Sequence, residues 1–396
     1  MTAAEAAPGA ATGLLTATID FPSCIDRLKR AAHAEGISAG VIESVLNRVE
    51  PSERVLELDR RQPEFTSTFA DYFNRRVTPE RVARGRQLRT ELAPLLQTVL
   101  DATGVPPHYL LAFWGLETNF GGYLGNMWIP ASLTTLACDD RRSSYFSSEL
   151  LSALKLIDRG DVSADAMQGS WAGAMGQVQF MPTAYLRYAV DQDRDGRRDL
   201  WGSLPDALAS GGHFLKTLGW QPGTRWGREV LLPAPFDYLE NPPGTTRTLL
   251  EWRQRGITDT SGQPVSALAV DARLLLPAGH RGPAFLVYEN FGVIMGWNRS
   301  EYYALSVGHL ADRIAGGGAL HRPPPEDDLK FSNADMLRIQ KQLAALGFDP
   351  GEPDGRLGPA TRKAVGEFQR GASLIPDGHL DAAVIAALDA RSRDGT

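Results

Sequence analysis

Glu117 ends an apolar run, Y-L-L-A-F-W-G-L-E-T-N-F-G-G, with no Lys or Arg between Tyr109 and Met127 to neutralise it. Pro106 and Pro107 suit the first turn of a helix, where a missing N–H costs nothing, and Gly121 and Gly122 suit its exit. On such a helix Leu110, Trp114 and Glu117 fall at i, i+4 and i+7 and share an inward-packing face. Desolvation without a partner favours the protonated carboxyl, the state a general acid needs. An ordinary helix-end Glu with a solvated head fits the same local pattern, so the rest of the chain must decide.

Two further groups could do chemistry. Residues 169–182, G-S-W-A-G-A-M-G-Q-V-Q-F-M-P, combine small residues that permit close approach with the uncharged hydrogen-bonding side chains of Ser170, Gln177 and Gln179. Those groups suit a sugar better than a phosphate; a tight helix–helix contact is the structural alternative. In D-Q-D-R-D-G-R-R-D, Asp191, Asp193 and Asp195 stand at positions 1, 3 and 5 before Gly196, like the front of a calcium loop. The Arg197 carbonyl and Asp199 could add oxygens. The Glu expected at position 12 is replaced by Gly202, and Asp206 could close the shell instead. Four acids in nine residues repel one another unless a cation sits among them, and a structural calcium is the expectation. The alternative is a solvated acidic turn balanced by Arg194, Arg197 and Arg198.

The elements that must position these groups are mainly helical. Residues 21–100 have helical periodicity with breaks at Gly36, Pro51 and Pro79, and residues 105–220 are again helix-rich. From 221 to 290 Pro and Gly recur, and 229–232, 274–276 and 284–288 read as strands before helix returns at 302–315. The predicted organisation is a leader at 1–18, a catalytic domain at 19–315, a Gly/Pro linker at 316–328 and a small separate unit at 329–392. The formal charge of -6 and the lack of a long basic block argue against nucleic acid as a partner. No apolar run is long enough to cross a bilayer, and the leader lacks a positively charged start. Cys24 and Cys138, in separate helical regions, could be a disulfide or two unrelated buried thiols; neither belongs to a zinc-type cluster.

Taken with E-T-N-F-G at 117–121 and W-N-R-S-E-Y-Y-A-L at 297–305, the 169–182 block resembles the lytic murein transglycosylases of the membrane-bound lytic transglycosylase B family. The resemblance implies a lysozyme-like, mainly α (α+β) catalytic domain with a small β-containing insertion. It implies that Glu117 is the catalytic acid and base and that Ser170 and Gln179 lie close to the scissile sugar. Asn298 and Tyr303 would line the opposite wall, with Trp297 also among the substrate-binding residues and Tyr72 as an upstream site tyrosine. Trp297 stands where a tyrosine is common in the family, and Phe214 stands where another site tyrosine is expected. Members of the family also carry a calcium loop like that at Asp191.

The unit at 329–392 has D-G turns at Gly355 and Gly378 and apolar stripes through Leu337, Leu343, Leu346, Val365 and Phe368. It resembles a three-helix peptidoglycan-binding module. The expected enzyme is therefore a monomeric cell-wall lytic transglycosylase with peptidoglycan strands as its partner and no organic cofactor. Its compartment would be periplasmic or outer-membrane-associated, the latter through a processed N-terminus. The rivals are a hydrolytic muramidase and a non-catalytic wall-binding scaffold.

Overall fold

The computed structural model describes residues 20–60 and 67–394. The expected leader at 1–18 lies outside the described residues. Helices Phe21–Ala34, Ala39–Leu46 and Glu53–Arg60 come first, followed by Phe69–Arg76, Pro79–Glu91 and Ala93–Thr103. Several starts are fixed by short polar side chains: Asp20, Ser38, Thr68 and Thr78 each accept from a backbone N–H three residues ahead.

Two apolar cores meet along a seam. One surrounds the Pro107–Thr118 helix, in which every residue from Tyr109 to Leu116 is buried, and is closed by Glu301–Ala315. That helix is apolar on all sides, so the single inward face expected from its spacing understates its burial. The other core joins the first helices to Ile129–Ala137, Ser143–Asp158 and the inner side chains of the 169–182 block, including Met175, Val178 and Phe180. A disulfide between Cys24 and Cys138, with Cα atoms 5.9 Å apart, pins the first helix to this core.

The β-containing insertion is a five-stranded antiparallel sheet in the order Thr246–Thr248, Asp271–Leu275, Ala284–Val287, Gly227–Leu231, Thr258–Asp259. Its central register pairs Leu274 with Leu286 and Val230 with Ala284, over a core that includes the fully buried Trp252. Helices Asn333–Ala345, Pro359–Gly371 and Ala382–Asp394 enclose a core of their own around Ile339, Val365 and Phe368. The segment leading to them is strapped down rather than free, since the Glu229 carboxylate accepts from the N–H groups of His321 and Arg322 at 2.7 and 2.8 Å. Asp377, in the second D-G turn, accepts from the His280 backbone N–H at 2.7 Å and meets its ring Nδ1 at 2.6 Å.

Candidate active site

Pro107 starts the Glu117 helix as the sequence predicts, and the helix ends one residue after Glu117. Asn119, Phe120 and Gly121 have φ of 52°, 59° and 80°, a run of left-handed residues that turns the chain sharply away. Phe120 folds back over Gly115, where an added Cβ would lie 2.8 Å from the phenyl ring. The glycine of W-G-L-E is thus required by packing beside the carboxylate.

Glu117 is half-buried at the seam between the two cores. Its Oε1 accepts from the Trp297 indole Nε1 at 3.0 Å and from the Tyr303 hydroxyl at 2.5 Å. Burial first, and then the Glu117 charge, push the Tyr303 phenol well above its ordinary value, so it remains a donor. The local sequence hides one cation: Arg76, from the Phe69–Arg76 helix, donates to the Leu116 carbonyl at 3.3 Å. Its guanidinium also lies 5.2 Å from the centre of the Tyr72 ring. Tyr72 is buried and packs against Tyr302 with ring centres 6.1 Å apart.

The 169–182 block faces the loop that follows Glu117. Residues Met127–Trp128 pair antiparallel with Gln168–Gly169, and a Cβ on Gly125 would lie 2.2 Å from the Gly169 carbonyl. Only glycine allows that approach. Ser170 shapes the block itself, its Oγ accepting from the Ala174 N–H at 3.0 Å. Gln179 donates to the carbonyls of Leu124 and Gly176 at 3.1 and 3.0 Å, which ties the block to the post-Glu117 loop. Asn298, exposed just past the Glu289–Trp297 helix, accepts from the Ser300 N–H at 3.1 Å.

Further residues shape the site: Gln177 and Phe214, which the sequence singles out, and Glu149 and Tyr188, which it does not. Gln177 accepts from the Trp114 indole at 2.9 Å and donates to the Trp201 carbonyl at 3.1 Å, bridging the two cores. Buried Glu149 accepts from both the N–H and the hydroxyl of Thr183 at the start of Pro182–Tyr188. Tyr188 stacks on Phe214 at 4.6 Å. Glu149 and Tyr188 carry no sequence-local signal, because each acts across elements separate in the chain.

In the acidic loop, oxygens of Asp191, Asp193 and Asp206 lie within 4.8 Å of one another, while Asp195 and Asp199 stand outside that group. Asp195 Oδ1 accepts from the Arg197 N–H at 2.8 Å, and Asp199 Oδ1 accepts from the N–H groups of Trp201 and Gly202. Asp191 Oδ1 is buried without a hydrogen-bond partner, and fully buried Asp206 is pushed up from its ordinary value mainly by desolvation. An orphaned buried carboxylate oxygen beside two further acids fits a hard cation such as calcium.

Residues 20–312 match the transglycosylase SLT domain, and residues 332–388 match a peptidoglycan binding domain. The chain belongs to the SLT transglycosylase family and is a lytic transglycosylase. It is similar to SltB3 from Pseudomonas aeruginosa, solved with NAG-anhNAM-pentapeptide: 42% identical, TM-score 0.89, covering 93% of this chain and 99% of that one. It is 28% identical over 304 residues to membrane-bound lytic murein transglycosylase B of Escherichia coli K12, covering 74% of this chain and 83% of the relative. The Escherichia coli lytic transglycosylase Slt35, solved in complex with calcium, matches at 29% identity and a TM-score of 0.64, covering 74% of this chain and 92% of that one.

Proposed function

We propose that the enzyme cleaves the β-1,4 bond between N-acetylmuramic acid and N-acetylglucosamine in peptidoglycan, leaving 1,6-anhydro-N-acetylmuramic acid ends. Glu117 acts first as acid, giving its proton to the glycosidic oxygen as the C1–O bond breaks. The acetamido oxygen of the muramic sugar stabilises the cationic C1. Glu117 then takes the proton of the 6-hydroxyl as that oxygen bonds to C1, so no water is consumed and the carboxyl is regenerated. The observation that carries this reading is the half-buried Glu117 carboxylate, held at one oxygen by two neutral donors from separate elements. A two-carboxylate glycosidase would need a second acid as nucleophile or water base, whereas in this mechanism the acetamido oxygen and the 6-hydroxyl of the substrate fill those places.

The supporting roles belong to the same proposal. Gln179 and Ser170 build the wall beside the scissile bond, with Asn298, Tyr303 and Tyr72 opposite. Complexes of SltB3 with NAG-anhNAM-pentapeptide and NAG-NAM-pentapeptide support both the substrate and the anhydro product. Asp191, Asp193 and Asp206 would hold a structural calcium, which supplies charge balance to the loop and takes no part in bond cleavage; the calcium complex of Slt35 supports it. The helical unit at 332–388 would hold the enzyme to the wall. A disulfide suits an oxidising compartment, which supports a periplasmic location. The test is mass spectrometry of muropeptides released from purified sacculi. Products lighter by one water than the reducing sugars support transglycosylation; reducing ends as the main product mean hydrolysis.

A further inference from the structure

We infer that Trp297 is a positioning residue: its indole N–H and the Tyr303 hydroxyl together hold Oε1 of Glu117 and so fix the direction in which the carboxyl group faces. The inference rests on the acid/base reading of Glu117 and deepens it. A carboxylate oxygen offers about two lone-pair sites. On Oε1 both are taken, by Trp297 Nε1 at 3.0 Å and by the Tyr303 hydroxyl at 2.5 Å. Two donors from separate elements that converge on one oxygen fix the orientation of the whole carboxyl group.

The indole is built to aim. Trp297 is the last residue of the Glu289–Trp297 helix, and its ring lies between those of Phe113, Phe180 and Phe214, with centres 4.5, 5.4 and 5.2 Å away. Phe113 stands one turn before Glu117 on the same helix, so the ring and its acceptor share a base. Trp297 packs against both apolar cores and therefore registers one against the other at the seam. Phe214 thus forms one wall of the slot that aims the Trp297 N–H at Glu117.

Trp297→Phe keeps an aromatic ring but removes the donor. A hydrogen bond to a charged group is expected to be worth about 10- to 100-fold in kcat here, with KM changed by less than about 2-fold. Losing a donor to the ionised carboxylate also favours its protonated form, so the alkaline limb of the pH–kcat profile should move to higher pH. Among the described residues, Tyr303 from Glu301–Ala315 faces this carboxylate, and Tyr72 and Arg76 from Phe69–Arg76 act on Tyr303; all remain in the variant. Trp297→Tyr, which restores a ring-borne donor, should recover part of kcat. Phe214→Leu, which loosens the slot without touching Glu117, should move the same limb in the same direction by less, and it carries the test if Trp297→Phe melts below the assay temperature. A raised KM at unchanged kcat in Trp297→Phe, or an unmoved alkaline limb in the folded variants, overturns the inference. An active Glu117→Gln removes the acid/base reading beneath it, whereas an inactive Glu117→Gln beside an unaltered Trp297→Phe removes only the role of Trp297.

Discussion

Removing the disulfide should leave a folded but distinctly less stable enzyme. Cys24 and Cys138 are 114 residues apart, and the loop they close contains the whole Glu117 helix. Chain-entropy loss for a loop of that length corresponds to about 5 kcal/mol at 25 °C, an upper estimate because denatured chains keep some structure. For a domain spanning residues 20–312, unfolding entropy is about 0.6 kcal/mol per kelvin, so the melting temperature should fall by up to about 8 °C. Both cysteines are buried, at 8% and 6% exposure, so the double variant Cys24→Ala/Cys138→Ala is a cleaner comparison than partial reduction. Differential scanning calorimetry of the two proteins, with thiol titration to verify the intact bridge in the wild type, reads the effect. A melting temperature changed by less than about 1 °C would refute the argument that the bridge limits the unfolded chain.

Three other outcomes are expected. Glu149→Ala leaves the N–H and hydroxyl of Thr183 without their acceptor at the start of Pro182–Tyr188, which should cost about 3 kcal/mol in denaturant unfolding and lower kcat as the adjoining block loosens. Buried His309 is held down at about 4 by desolvation, against an ordinary value of 6.5. Its neutral form is favoured in the folded state, so its contribution is full above pH 6.5 and is lost as pH falls towards 4. The loss is about 3 kcal/mol, and His309→Leu should flatten that part of the stability–pH curve. Chelation of calcium should lower the melting temperature and leave activity intact well below it; identical melting curves with and without EDTA would count against the Asp191, Asp193 and Asp206 site.

The features most legible in the sequence are those set by short-range rules. Pro107 begins its helix, Ala284–Val287 and Gly227–Leu231 form close to predicted strands, and Asp271–Leu275 begins three residues before its predicted run. The strands Thr246–Thr248 and Thr258–Asp259 are too short to show an alternation and exist because neighbours pair with them. At the site, Glu117 stands out in the sequence through the apolar run that it ends taken together with the E-T-N-F-G motif and the two later blocks. Its contacts do not, because Trp297 lies 180 residues away and Tyr303 186, and only the packing of two cores brings them to one oxygen. Arg76 is the reverse case: a cation absent from the local sequence is supplied across space to the Leu116 carbonyl.

The most direct test of the account is glycan cleavage by Glu117→Gln. The amide is nearly isosteric with the carboxyl and can keep an oxygen acceptor towards Trp297 and Tyr303, but it can neither give a proton to the glycosidic oxygen nor take one from the 6-hydroxyl. With purified sacculi and anhydromuropeptide release followed by mass spectrometry, the variant should fold, bind glycan and lose at least about 100- to 10,000-fold in rate. A Glu117→Gln variant that releases anhydromuropeptides at close to the wild-type rate would contradict the account.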